Sequence, residues 1–180
     1  MSRDNVYYLV IIERITNIFN KQEKYNQAAH YLQYIIPITD SSQQLQKIND
    51  VAFFYQKAKN YRKSLKFYKL GLKKSRLLPN KVYEALQQYK IGYYYISQQK
   101  IKQAKKQFKK SIAIFKNASD NSSADSYSTT AISNAAYFFY KNPQYKDIGI
   151  PIVTEFARVT QSSFDKQNYE ALVDWLKKKK

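Results

Sequence analysis

The chain has 180 residues, 44% of them hydrophobic, an ordinary globular share that excludes disorder along its whole length and predicts a single domain over 1–180. Lys and Arg number 31 against 13 Asp and Glu, a formal charge of +18. The absence of Cys excludes disulfides, thiolate metal sites and a Cys nucleophile, and a single His with three Gly leaves little material for a zinc site, a catalytic dyad or a glycine-rich phosphate loop.

No run approaches the roughly 18 uninterrupted apolar residues of a membrane span, and the opening MSRDNVYYLVIIER lacks a signal peptide's cleavage region. A cytoplasmic binding protein is therefore expected, with no membrane partner, no cofactor, no metal and no enzymatic activity. The charge is uneven. Residues 51–119 hold 18 basic side chains and one acid, Glu84, whereas the rest of the chain is nearly balanced. Of the 31 basic residues 26 are Lys, a usage that an AT-rich genome would also produce. A positive field of this density either attracts an anionic partner or is tolerated as self-repulsion.

Along the chain, one pattern recurs. From Thr16 a small residue is followed by Phe19, Ala28, Leu32 and Ile36, at offsets of 3, 12, 16 and 20. The same offsets give Tyr55, Ser64, Tyr68 and Leu72 from Ala52, and Tyr95, Ala104, Phe108 and Ile112 from Gly92. From Ala136 they give Phe139, Ile148, Ile152 and Phe156, the poorest fit at the small positions. Each register predicts a helical hairpin whose small residues let two backbones approach while aromatics fill the remaining space. Hairpins of this kind bury their apolar faces by stacking. The predicted hairpins span about 5–38, 42–77, 80–118 and 126–160. Their turns fall at Asn20–Lys24, Gln56–Asn60, Gln98–Lys100 and Lys141–Gln144, each followed by Tyr25, Tyr61, Ile101 or Tyr145. Breaks between hairpins fall at Pro37–Ser42, Leu78–Asn80 and the polar Ser119–Ser128, which is expected to be the most mobile segment. A final helix over 163–178 presents Tyr169, Leu172, Val173 and Leu176 on one face and ends in lysines, the favourable pole of its dipole. The expectation is all-α: about nine helices, no sheet, and a terminal helix that caps the stack.

Gly92, Tyr95, Ala104 and Phe108, with Ala52, Tyr55, Ser64 and Tyr68 one unit earlier, stand at spacings that resemble the tetratricopeptide-repeat family. The family's Trp near the start of each unit is missing, its closing Pro is displaced to Pro79, and the repeats are longer than its standard length. The resemblance implies a right-handed superhelix of about four hairpins that binds a partner. More narrowly, the chain is similar to the C-terminal domains of peptide-pheromone-sensing transcription regulators of low-GC Gram-positive bacteria. Proteins of that group carry an N-terminal helix-turn-helix, dimerise through their repeats and hold a signalling peptide in the concave groove. Here the first repeat helix begins within a few residues of Met1, so the likeness implies an excised sensor domain and, through a missing helix-turn-helix, an indirect link to nucleic acid.

In such a stack the first helix of each hairpin lines the concave face. The groove positions are Glu13, Asn17 and Asn20, then Asn49, Phe53 and Gln56, then Tyr89, Tyr93 and Ile96, then Ser133, Tyr137 and Tyr140. Carboxamides pair with both polar groups of an extended peptide, and Tyr offers contact area with a polar tip. Solvated Asn and Gln with compositional Tyr is the plainer account. The family's clamp for a C-terminal carboxylate is not expected, because Glu13 and Leu86 stand where basic residues should be. The second helices carry Arg62, Lys66, Lys69, Lys73 and Arg76 on one stripe, and Lys102, Lys106, Lys109 and Lys116 on the next, a convex ridge for phosphates or simply a solvated face. His30 falls on the same outer face and is not expected to act. The sequons at Asn117 and Asn121 have no meaning without secretion, the Ser-rich 122–128 lacks a base, and Trp175 reads as a packing or dimer contact.

Overall fold

The computed structural model describes residues 3–118 and 126–179. In chain order the helices are α1 (Arg3–Lys21), α2 (Tyr25–Leu32), α3 (Ser41–Lys57), α4 (Tyr61–Ser75), α5 (Lys81–Ile96), α6 (Ile101–Lys116), α7 (Ser126–Lys141), α8 (Lys146–Val159) and α9 (Ser163–Lys178). There is no strand among the described residues, so the protein is all-α. Most of the break expected at 119–128 lies outside the described residues, and so do the Asn121 sequon and Lys180.

Local chemistry sets the boundaries. The side chains of Asp40, Asn80 and Ser162 accept from the backbone N–H of Gln43, Val82 and Asp165 at 2.9, 2.9 and 3.1 Å. Each thereby satisfies a donor that the first turn of α3, α5 or α9 would leave open. The first three hairpin turns share one geometry. Glu23, Lys59 and Gln99 adopt φ of 57°, 57° and 59°, and the next residue's N–H reaches back to Phe19, Tyr55 or Tyr95 O at 2.9, 2.8 or 2.9 Å. That is a left-handed helix stop which caps orphan carbonyls, built each time without the glycine that suits it best. The second helices then start at Tyr25, Tyr61 and Ile101, as the pattern predicts. The fourth turn differs because Pro143 has no N–H; a 3-10 turn over Pro143–Tyr145 leads into α8.

Contacts divide the chain into two compact units, Met1–Lys74 and Ser75–Lys180, where the sequence suggested one domain. In the first, α1 packs on α2 and α2 on α3 around Ile12, Ala28, Leu32, Ile35 and Val51. The Tyr55 ring stacks on Phe67 at 5.8 Å and the Tyr68 hydroxyl donates to Gln56 Oε1 at 3.0 Å, which ties α4 to α3. The second unit has a larger core of Leu86, Phe108, Phe115, Phe139, Ile152, Phe156 and Leu176. The two sets of core residues do not overlap, which is the physical content of the division.

The small anchors Thr16, Ala28, Ala52, Ser64, Gly92, Ala104 and Ala136 are all buried. A Cβ added to Gly92 would stand 2.9 Å from the Phe108 ring, so α5 and α6 approach through the missing side chain. The Ser111 hydroxyl fixes the same pair by donating to Ala85 O at 2.8 Å. In the fourth hairpin the small residue is Gly149, not Ile148 at the expected offset: its Cβ would meet Phe139 at 2.8 Å. Arg158 on α8 closes the end of α6. It donates to Ala118 O at 3.0 Å and to Phe115 O, and pairs with Glu155 at 2.9 Å.

Two glycine changes should move stability in opposite directions. Gln99→Gly, at an exposed left-handed position, should raise it by about 0.5–1 kcal/mol. Gly92→Ala should lower it by about 1–3 kcal/mol, because the Phe108 ring is held between Tyr89 and Phe139 and cannot yield. Urea unfolding followed by circular dichroism measures both, and a stabilising Gly92→Ala would contradict the close approach. Arg158→Met should cost about 2–4 kcal/mol, since Glu155 and two helix-end carbonyls lose their donor together.

Candidate peptide-binding surfaces

In the first unit the expected groove residues part company. Asn17 and Asn20 are exposed on α1, while Glu13 is held by Lys47 of α3 at 2.5 Å. Asn49 is a correction: it is only 4% exposed, and its Nδ2 donates to Leu45 O of its own helix at 2.8 Å. A position three residues before Ala52 lies on the packed side of α3, so this carboxamide does not face solvent. Gln56 spends its carbonyl oxygen on Tyr68. Phe53 is 40% exposed, with Lys57 Nζ 5.5 Å above its ring.

In the second unit α5 offers almost nothing. No residue from 82 to 96 is exposed. Tyr89 is the second correction: it is 6% exposed, with its ring 5.5, 6.1 and 6.4 Å from Phe108, Phe139 and Phe156. It is a core residue, and so is Ile96. Tyr93 stands edge-on to Phe138 at 4.9 Å, half-buried. The helix is packed on several sides, and a one-sided groove pattern cannot survive there.

Helix α7 is different. Tyr137 is 60% exposed and Tyr140 48%, one turn apart on the same face. Lys141 Nζ stands 5.4 and 5.6 Å from the two ring centroids. From α9, Trp175 lies 5.1 Å from Tyr140, and Lys179 Nζ sits 4.4 Å over the indole. Three aromatic side chains and two ammonium groups thus form one surface. Sequence reasoning singles out Tyr137 and Tyr140 but misses Lys141 and Lys179 and reads Trp175 as a packing or dimer contact. The signal was present only as lysines one and four residues after an aromatic. Ser133, one turn before Tyr137, is tied to the Tyr169 hydroxyl at 3.1 Å. Burial pushes the Tyr169 phenol up from its ordinary value, the Ser133 hydrogen bond opposes that shift and the Asp165 charge adds to it.

On the second helices Arg62, Lys66, Lys69 and Lys73 are exposed on α4, and Lys102, Lys106, Lys109 and Lys116 on α6. None of these forms an ion pair among the described residues, whereas Arg76 is bound by Glu84 at 2.8 Å. His30 is exposed, its Nε2 3.3 Å from the Tyr34 hydroxyl. Between α6 and α8 a cleft of about 430 Å³ is lined by Lys105, Phe108, Lys109, Ile112, Asp147, Ile148 and Pro151. Among the described residues no cluster of His, Asp or Glu could hold a metal ion, and no helix is long and apolar enough to cross a membrane.

No protein-family model matches the chain, and no curated protein matches it in sequence. Among solved structures it is similar to BtubC (BKLC) from P. vanneervenii, with a TM-score of 0.51 and 14% identity over 94% of this chain and 78% of that one. The likeness is one of fold: a helical, repeat-like arrangement of hairpins.

Proposed function

We propose that the chain is a tetratricopeptide-like binding module, not an enzyme, and that it holds an extended peptide or protein segment against the exposed face of α7. The observation that carries this reading is the Tyr137–Tyr140–Trp175 surface with Lys141 and Lys179 beside it. Large aromatic side chains exposed on a packed helix supply contact area at low entropic cost, and aromatic anchors dominate binding at interfaces. Their ammonium neighbours favour a segment with acidic residues or a free carboxylate. The signature spacing of Gly92, Tyr95, Ala104 and Phe108 supports the family reading, and a sensor or scaffold part of a regulator is the role that fits it. Expected ligand contacts exclude Asn49 and Tyr89, which are spent inside the protein.

A second reading, a polyanion held by Lys66, Lys69 and Lys73 on α4 or, separately, by Lys102, Lys106 and Lys109 on α6, is favoured by their exposure without acidic partners. It lacks stacking aromatics: Tyr68 and Phe108 on these helices are buried.

Panning a random peptide phage library on the chain, followed by calorimetric titration of the enriched sequence, tests the first reading. Tyr137→Ala/Tyr140→Ala should weaken binding at least about 30-fold, the loss of roughly 2 kcal/mol of hot-spot energy. Equal affinity for parent and variant would remove α7 as the site. For the second reading, anisotropy with a duplex and a single strand across salt should show log affinity falling by roughly 0.9 per phosphate contact, and a slope near zero discards it.

A further inference from the structure

We propose that the cleft between α6 and α8 docks an acidic segment of a partner protein, with one apolar side chain on its floor and the neighbouring carboxylates on its lysine rim. This site is separate from the aromatic face of α7 and does not rest on that reading. Its floor is apolar and held in place: Phe108 is 1% exposed and Ile148 6%, and Ile112 and Pro151 complete it. Its size falls in the usual range of binding clefts. Lys105 and Lys109 stand one turn apart on α6, so both ammonium groups rise from the same edge. Neither lysine nor Asp147 across the cleft forms an ion pair among the described residues.

The charge around the cleft specifies the partner. Helix α6 carries no acid, and Lys102, Lys106 and Lys110 stand exposed beside the two rim lysines. The whole of 51–119 has a single acid, Glu84, and that one is bound to Arg76. The rim therefore draws carboxylates, and nothing in its own helix competes for it. The floor separates a peptide from a nucleic acid. A phosphate backbone gains nothing from Ile112, Ile148 and Pro151, and the one aromatic ring in the lining, Phe108, is buried too deeply to stack on a base. Asp147 adds a limit: a carboxylate pressed against it is repelled, so the acids of the segment must flank the apolar side chain on the α6 side.

The probe is a fluorescein-labelled peptide with two adjacent Leu flanked on each side by two Glu, titrated by anisotropy with the full chain at about 0.15 M salt, where only short-range charge pairs survive screening. Replacing both Leu by Ala in the peptide should weaken binding about tenfold, the discrimination expected of a lost apolar contact. Lys105→Gln/Lys109→Gln should weaken the Leu peptide by about tenfold or more, while the equal-charge control Lys69→Gln/Lys73→Gln on α4 should leave it within about twofold. All four lysines are exposed, so both variants keep the fold, which circular dichroism verifies. Ile112→Lys provides an independent arm: it adds positive charge but fills the apolar floor, and binding should fall. Equal binding of the Ala peptide, equal losses in the two double variants, tighter binding to Ile112→Lys, or equal competition by an oligothymidylate of the same net charge would each overturn the cleft. The last two results would instead identify a general polyanion surface.

Discussion

Close approach of two helices at a residue with almost no side chain is the constraint on which the rest of this protein depends. At Gly92 the Phe108 ring occupies the space a Cβ would need, and at Gly149 Phe139 does the same. The small anchors of the earlier hairpins, Ala28 and Ser64, are fully buried at the corresponding step. Because the backbones are so near, the rings that fill the remaining gap have one place to go. Phe108, Phe139, Phe156 and Tyr89 therefore form a network of tilted and edge-on contacts between 5.5 and 6.4 Å. That geometry suits the aromatic quadrupole.

The same packing decides which aromatic side chains stay exposed. Helix α5 is drawn so far into the second unit that no residue from 82 to 96 is exposed, and its tyrosines serve the interior. Helix α7 touches α5, α8 and α9 along one side, which leaves Tyr137 and Tyr140 turned outward. An exposed aromatic face thus appears on α7 and has no counterpart on α5.

Charge follows a similar division of labour. Three acids pin specific elements: Glu84, the single acid of residues 51–119, binds Arg76, Glu13 binds Lys47, and Glu155 holds the Arg158 side chain that closes α6. Among the described residues the lysines of α4 and α6 form no ion pair. Like charges one turn apart on a helix destabilise by only a few tenths of a kcal/mol per pair, so the fold can carry them. The cost is small, and the field they create is available to an anionic partner.

The helices, their turns and the terminal helix were legible in the chain because helix periodicity and breaking are local: they depend on residues within a few positions of each other. So was the exposure of the lysines and of Tyr137 and Tyr140. The failures are equally specific. Asn49 and Tyr89 were placed by their offset from a small anchor, and an offset fixes the side of a helix but not how many neighbours cover it. Gly149 took the close-approach role because the Pro143 turn displaced α8 by one residue from the repeat. Arg158 gave no signal at all, since the groups it binds are backbone carbonyls of Phe115 and Ala118, about forty residues earlier in the chain. What the sequence by itself determined is the set of helices and the face of each that is apolar. The tertiary structure alone decided which of those faces stays open, because burial depends on contacts between helices distant in the chain, which no local pattern encodes.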